Sequence, residues 1–231
     1  MKTPDYLELT YSEQRLPPSQ YPILLTRWLM THFFQKPGRL LDVGCGRAEY
    51  LRAFSAEAFE AVGIDSASSA GALAAELQVE IVNVEREAFP LPAESFDYVF
   101  SKSVIEHLHH PDHMLAECFR VLRPGGVVVI MTPSWRHQWR VFYEDYTHVS
   151  PFTANGLADA LTLAGFNSVQ AQLFWQLPFL WKRPWLFGFV KLISGLPLKY
   201  RPWDLAPWPE ELNKLIRFSK EVMLLGVGRK A

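Results

Sequence analysis

Hydrophobic positions along the chain follow two periods. Ile23, Leu24, Trp28 and Leu29 recur at near-helical spacing, which predicts a helix over 21–34. From Arg39 onward, short apolar runs alternate with amphipathic stretches. The runs predict strands at 39–43, 59–65, 79–84, 96–100 and 127–131, and later at 169–174 and 222–227. Helices are expected at 48–54, 67–77, 112–122 and 153–164, the last closed by Gly165. Strands alternating with helices imply right-handed crossovers and a largely parallel sheet. In such sheets ligands sit beyond the carboxyl ends of the strands, so the chemistry is expected in the loops that follow the first five.

The first strand runs into Asp42-Val43-Gly44-Cys45-Gly46 and then a helix. Glycines there let the backbone turn sharply and approach a ligand, and the helix start favours an anionic group. A tight turn with no ligand would use the same residues. The second strand ends at Gly63-Ile64-Asp65, where a carboxylate can accept both hydroxyls of a ribose. Asp65-Ser66 also precedes a predicted helix, so a capping role competes with the ribose role. Glu49 occupies the position where a dinucleotide fingerprint has its third Gly or Ala. An acid there opposes a pyrophosphate but not S-adenosylmethionine, which carries no phosphate.

Composition narrows the field further. The 231 residues suit one α/β domain, and 49 % apolar residues are enough for a buried core. A net charge of −1 argues against nucleic acid as the main partner. Two cysteines, Cys45 and Cys118, are too few for a disulfide framework. Met1-Lys2-Thr3-Pro4-Asp5 lacks a charged-then-apolar leader pattern, and no apolar run reaches the roughly 18 residues of a membrane span. The expected location is the cytoplasm, with peripheral membrane contact through 175–208 as a further option.

Five ordered motifs carry a family resemblance. They are Leu40-Leu41-Asp42-Val43-Gly44-Cys45-Gly46; the stretch holding Asn83-Val84-Glu85-Arg86, Phe89-Pro90-Leu91-Pro92 and Ser95-Phe96-Asp97; Glu106-His107-Leu108; Leu122-Arg123-Pro124-Gly125-Gly126; and Thr132-Pro133. Over about residues 38–174 the chain resembles the class I S-adenosylmethionine-dependent methyltransferases of types 11 and 12. The resemblance implies a Rossmann-like, doubly wound, mostly parallel seven-stranded sheet with an antiparallel last strand. It implies that Asp42, Gly44, Cys45 and Gly46 line the methionine part of the donor and that Asp65 and Ser66 hold the ribose. Asn83 and Val84 would meet the adenine, with Glu85 as an alternative, and Ser101 would sit at the methionine end. Ala48 and Asn83 depart from the usual Gly and Asp. The expected organisation is one domain: an N-terminal helical cap over 1–37, a donor-binding core over 38–174, an aromatic insertion or lid over 175–215 and the last strand over 216–231.

The segment after the fifth strand overhangs the expected site. Within Asp145-Tyr146-Thr147-His148, His148 is the candidate general base, or a residue that ties the loop down by hydrogen bonds. Glu106 and His107 are expected to shape their loop. No metal is expected: His107, His109, His110 and His113, with Asp112, crowd a helix start without a recognised ligand spacing.

Aromatic content is 14 %, and Trp175, Trp181, Trp185, Trp203 and Trp208 fall close together. About 45 residues separate the last two strands, long for a structureless loop. A lid over the acceptor pocket, an interfacial membrane element, extra core and a dimer face are the open readings. The functional expectation is a methyltransferase acting on a small-molecule or glycan/lipid-linked acceptor, at oxygen. A non-catalytic S-adenosylmethionine-binding subunit and an NAD-dependent oxidoreductase or epimerase are the alternatives.

Overall fold

The computed structural model describes residues 18–201 and 207–231. Seven strands form one sheet: β1 (Arg39–Val43), β2 (Glu60–Asp65), β3 (Gln78–Ile81), β4 (Phe96–Lys102), β5 (Leu122–Pro133), β6 (Asn167–Phe174) and β7 (Met223–Arg229). Their order is β3-β2-β1-β4-β5-β7-β6. β1 to β5 are mutually parallel, and β7 runs antiparallel to both its neighbours, β5 and β6. This is the expected doubly wound sheet with its reversed last strand. The chain order reverses between β1 and β4, and a ligand crevice opens at such a switch point.

The central strands read as unbroken apolar runs because both sheet faces are covered. Leu41, Val43, Val99, Val128 and Ile130 enter one core with Met114, Leu115 and Leu157. Leu40, Phe100, Val129 and Met131 enter the other with Leu25, Leu29 and Phe54. The helices that cover these faces obey the same accounting. In α1 (Tyr21–His32) the buried residues Pro22, Leu25, Thr26 and Leu29 repeat at helical spacing, and the proline pre-sets the first turn. α2 (Glu49–Ala56) follows β1. α4 (Pro111–Val121) again starts on a proline and buries Met114, Leu115, Cys118 and Val121. α6 (Ala154–Leu163) is capped by Thr153, whose hydroxyl accepts from the Gly156 amide, and Gly165 turns the chain out at φ +99°.

Several expectations shift. The helix expected over 67–77 contracts to α3 (Ala70–Leu73). No side chain caps its start, Gly71 lowers its propensity and four residues give few internal bonds. β5 runs through Arg123-Pro124-Gly125-Gly126 rather than starting after it. Gly125 adopts φ +81°, and the amide of Gly125 and the carbonyl of Gly126 bond across to Lys230, so the turn is absorbed as an irregularity of register.

The long stretch between β6 and β7 is structured. It contains α7 (Pro178–Lys182), α8 (Phe187–Gly195) and α9 (Glu210–Lys220), with the short α5 (Trp135–Gln138) lying earlier, after β5. α9 runs across the boundary expected at 215/216, and the last strand, expected from 222, begins at Met223. Leu177, Leu180 and Val190 make a small core of their own with Trp175, Leu215 and Phe218. Trp181 belongs to the main body: its ring lies 5.8 Å from Trp28 and 5.3 Å from Phe174, and its indole N–H donates to the Trp175 carbonyl at 3.0 Å. The N-terminal part of the expected cap (1–17) and Trp203 lie outside the described residues.

Candidate functional site

The loop after β1 is drawn onto the end of β2 by its backbone. The amides of Gly44 and Cys45 both donate to the Ile64 carbonyl, at 2.8 and 3.1 Å. Gly44 holds φ +75°, and a Cβ there would collide with the Val104 side chain. Gly46 sits at φ +51° and Ala48 at φ +60°, both left-handed. The usual glycine at Ala48 therefore answers a backbone requirement, and alanine meets it with some strain.

Asp65 links two of the expected donor-binding segments. Its Oδ2 accepts from the Gly46 amide at 2.8 Å, and its Oδ1 from the Ala67 amide at 2.7 Å. The capping role survives as this short turn, because helix α3 starts three residues later. Ser66 Oγ donates to the Val82 carbonyl at 3.1 Å and accepts from the Val84 amide at 3.3 Å, tying the segment after β3 to the same corner. Ser101, buried at the end of β4, donates to the Val43 carbonyl at 2.9 Å. Asn83 differs: it is exposed, and its Oδ1 accepts from the Glu85 amide at 3.1 Å. Glu85, the alternative at that position, accepts from the amides of His109 and His110.

Asp42 is the electrostatic centre of this corner. It is buried, and its Oδ2 has no hydrogen-bond partner among the described residues. Burial, and secondarily the charge of Asp65, hold its carboxyl at about 8, far above the usual carboxylate range. Burial and the same two carboxylates push the Cys45 thiol upward, so it is an inert wall. Two carboxylates beside a glycine turn suit a positively charged, phosphate-free nucleoside. S-adenosylmethionine fits, carrying a sulfonium and an ammonium group, and a dinucleotide pyrophosphate does not. Glu49 adds to that discrimination and is held by Arg47 at 2.8 Å.

A second group of side chains gathers where the loops after β4 and β5 meet. The amides of Val149 and Ser150 donate to the Glu106 carbonyl, at 2.9 and 3.0 Å. The Glu106 side chain is buried; Thr132 Oγ1 donates to its Oε2 at 2.9 Å, while Oε1 lacks a partner among the described residues. Burial pushes this carboxyl up to about 7. His107 and His148 meet edge to face at 4.7 Å. His148 Nδ1 lies 2.7 Å from the Phe142 carbonyl, which can only accept, so Nδ1 carries the proton and Nε2 the lone pair. Thr147 Oγ1 donates to Asp145 at 2.6 Å, so His107 Nδ1 in turn donates to Thr147 at 2.8 Å. Burial lowers both imidazoles, His107 to about 4, with His148 as its second cause. Glu106, His107 and His148 bring ligand-capable atoms within 4.8 Å of one another, so His107 groups with His148 rather than with His109, His110 and His113 at the start of α4. There, His113 Nε2 meets the Glu87 carbonyl at 3.0 Å.

Lys102 and Tyr50 were missed in the sequence. Lys102 ends β4 half-buried, with Nζ 5.8 Å from the centre of the Tyr50 ring. Burial pushes its ammonium down to about 8, against the pull of Glu106. Its place at the carboxyl end of a central strand was the available signal.

A parallel sheet whose first two strand ends converge on paired carboxylates and a glycine turn defines the Rossmann-like class of S-adenosylmethionine-dependent methyltransferases. Residues 19–171 match the family model described as a methyltransferase domain, and the chain belongs to that family. A probable S-adenosylmethionine-dependent methyltransferase of Mycolicibacterium smegmatis is 34% identical over 137 residues, 55% of this chain and 51% of its own length. The malonyl-[acyl-carrier protein] O-methyltransferase of Methylococcus capsulatus is 29% identical over 153 residues, 60% of this chain and 55% of its own. The chain thus spans about half the length of these curated relatives. A crystal structure of a SAM-dependent methyltransferase from Archaeoglobus fulgidus shares the fold, with TM-score 0.66, 22% identity, and coverage of 98% of this chain and 100% of that one. Among the described residues, no helix is long and apolar enough to cross a membrane.

Proposed function

We propose that the chain methylates an oxygen of a small-molecule or glycan/lipid-linked acceptor in the cytoplasm, with His148 as the general base. The observation that carries this reading is the bond from His148 Nδ1 to the Phe142 carbonyl. It leaves Nε2 as the basic nitrogen of a ring that burial keeps uncharged near neutral pH. Two relatives that bear O-methyltransferase names, one for malonyl-[acyl-carrier protein] and one for ubiquinone biosynthesis, support oxygen as the accepting atom.

When bound, the donor supplies an electrophilic methyl group on a sulfonium. Asp42 and Asp65 would hold its cationic and ribose groups, Gly44, Cys45 and Gly46 would wrap its methionine end with Ser101, and Ser66, Asn83 and Val84 would border its base. His148 would take the acceptor's hydroxyl proton as the methyl is transferred in line.

Isothermal titration with S-adenosylmethionine, S-adenosylhomocysteine and NAD, followed by turnover on hydroxylated acceptors, tests the reading. Binding of the first two alone and methyl ether or ester formation are expected. Full turnover by His148→Ala would remove the general-base role, and exclusive N-methylation would remove the oxygen assignment.

A further inference from the structure

We propose that α8 and the turn before it form a docking surface for an anionic lipid bilayer. α8 points Val190 and Ile193 inward. A surface helix ordinarily turns polar residues to the other side, but here Phe189 and Leu192, three apart, are exposed on the helix, and exposed Leu196 follows directly after its end. Leu192 is 64 % exposed, and Trp185, in the preceding turn, 77 %. Phe187 is exposed beside them. This contiguous apolar face has no covering element among the described residues.

Charge identifies the occupant. Between Asp159 and Asp204 the sequence contains no acidic residue, while Lys182, Arg183, Lys191, Lys199 and Arg201 all fall inside that span. The chain as a whole carries a net charge of −1, so this concentration is local. Arg201 is committed to Glu144 and Glu221. Lys182, Arg183 and Lys191 are exposed and form no ion pair among the described residues. Aromatic and leucine side chains framed by exposed cations match a headgroup layer over acyl chains. A second copy is disfavoured, because a two-fold contact would set this cationic face against itself. Phe187 and Lys191 also line a cavity of about 270 Å³ that reaches His137 and Trp175, next to the loop after β5. The surface thus borders the acceptor side of the domain, and its role does not depend on which atom is methylated.

Sedimentation of the full chain with phosphatidylcholine vesicles, with and without about one quarter phosphatidylglycerol, tests the surface. Binding to the anionic vesicles is expected, weakening as salt is raised to about 0.5 M. Phe189→Asp/Leu192→Asp and, separately, Lys182→Gln/Arg183→Gln/Lys191→Gln should each weaken it about tenfold or more while leaving S-adenosylmethionine affinity intact. The inference is overturned if the wild type binds the anionic vesicles no better than neutral ones. It is also overturned if both variants bind like the wild type, or if the wild type forms a dimer that the Asp pair dissociates. If the Asp pair does not fold, the exposed cation variant decides. Failure of donor binding in the wild type would count against the methyl-transfer reading instead.

Discussion

The Gly46 amide donates to Asp65 Oδ2 at 2.8 Å, so the glycine turn after β1 and the carboxylate after β2 form one unit. Replacing Asp65 with alanine removes the acceptor for both the Gly46 and Ala67 amides as well as the proposed ribose contact. Titration should show donor affinity falling by about 2–4 kcal/mol, since hydrogen bonds to a charged group are worth about 1.5–3 kcal/mol each and their losses overlap. Asp65→Asn should retain part of the loop anchoring and lose less.

Asp42 gives a signature in protons. With its carboxyl held at about 8, most of it is protonated at pH 7, and a cationic donor favours the ionised form. Donor binding at pH 7 should therefore release close to one proton, measured as the dependence of binding enthalpy on buffer ionisation. Affinity should rise by up to about tenfold per pH unit approaching pH 8 and then level off. Asp42→Asn should bind more weakly and release none.

His148 sets the acid limb of the rate profile. Its uncharged form is the active base, and burial lowers its titration below the ordinary imidazole range, so activity should persist to below about pH 6.5 before falling. His148→Ala should lower kcat by roughly 10²–10⁴ with donor affinity unchanged. A fall in donor affinity of the same size would assign His148 to the donor site.

Glu106 makes stability depend on pH. Its folded carboxyl titrates near 7 against an ordinary 4.5, so between those values the native state binds more protons than the unfolded one. Its contribution is therefore most favourable below about pH 4.5 and is lost as pH rises towards 7. Glu106→Gln keeps an acceptor for Thr132 without that loss. Urea unfolding should show the variant gaining on the wild type by on the order of 1–3 kcal/mol between pH 4.5 and 7.

Gly44→Ala introduces both positive-φ strain and a collision with Val104. It should cost about 1–3 kcal/mol in thermal or urea unfolding. Adding Val104→Ala should restore only the part due to the collision.

The local pattern carried the fold far. β1 was legible to the residue, because Arg39–Val43 opens on a charged residue, runs into a glycine turn and is buried from Leu40 onward. The starts of α4 and α6 fall within one residue of the expected 112 and 153, because Pro111 and the Thr153 cap act through their immediate neighbours. The expected helix over 67–77 failed for the converse reason: Ala-rich composition favours a helix, but no cap or apolar stripe sustained it. The site divides similarly. Gly44, Gly46 and Asp65 could be proposed because the glycine turn and the acid belong to a recognisable strand-turn-helix unit. Lys102 was not proposed, because the fourth strand was expected to end at residue 100 and only the folded strand carries it to Lys102, with Nζ over the Tyr50 ring.

By itself the sequence determined the alternating elements, the glycine turn and the acids at the strand ends, since periodicity, caps and turn preferences act over a few residues. The tertiary structure decided which distant groups meet: Asp42 beside Asp65, Glu106 beside His107 and His148, Trp181 inside the body and Trp185 outside it. Those outcomes follow from strand order and from the burial it imposes. Burial sets the charge of a carboxylate or an imidazole through desolvation, which no stretch of sequence expresses by itself.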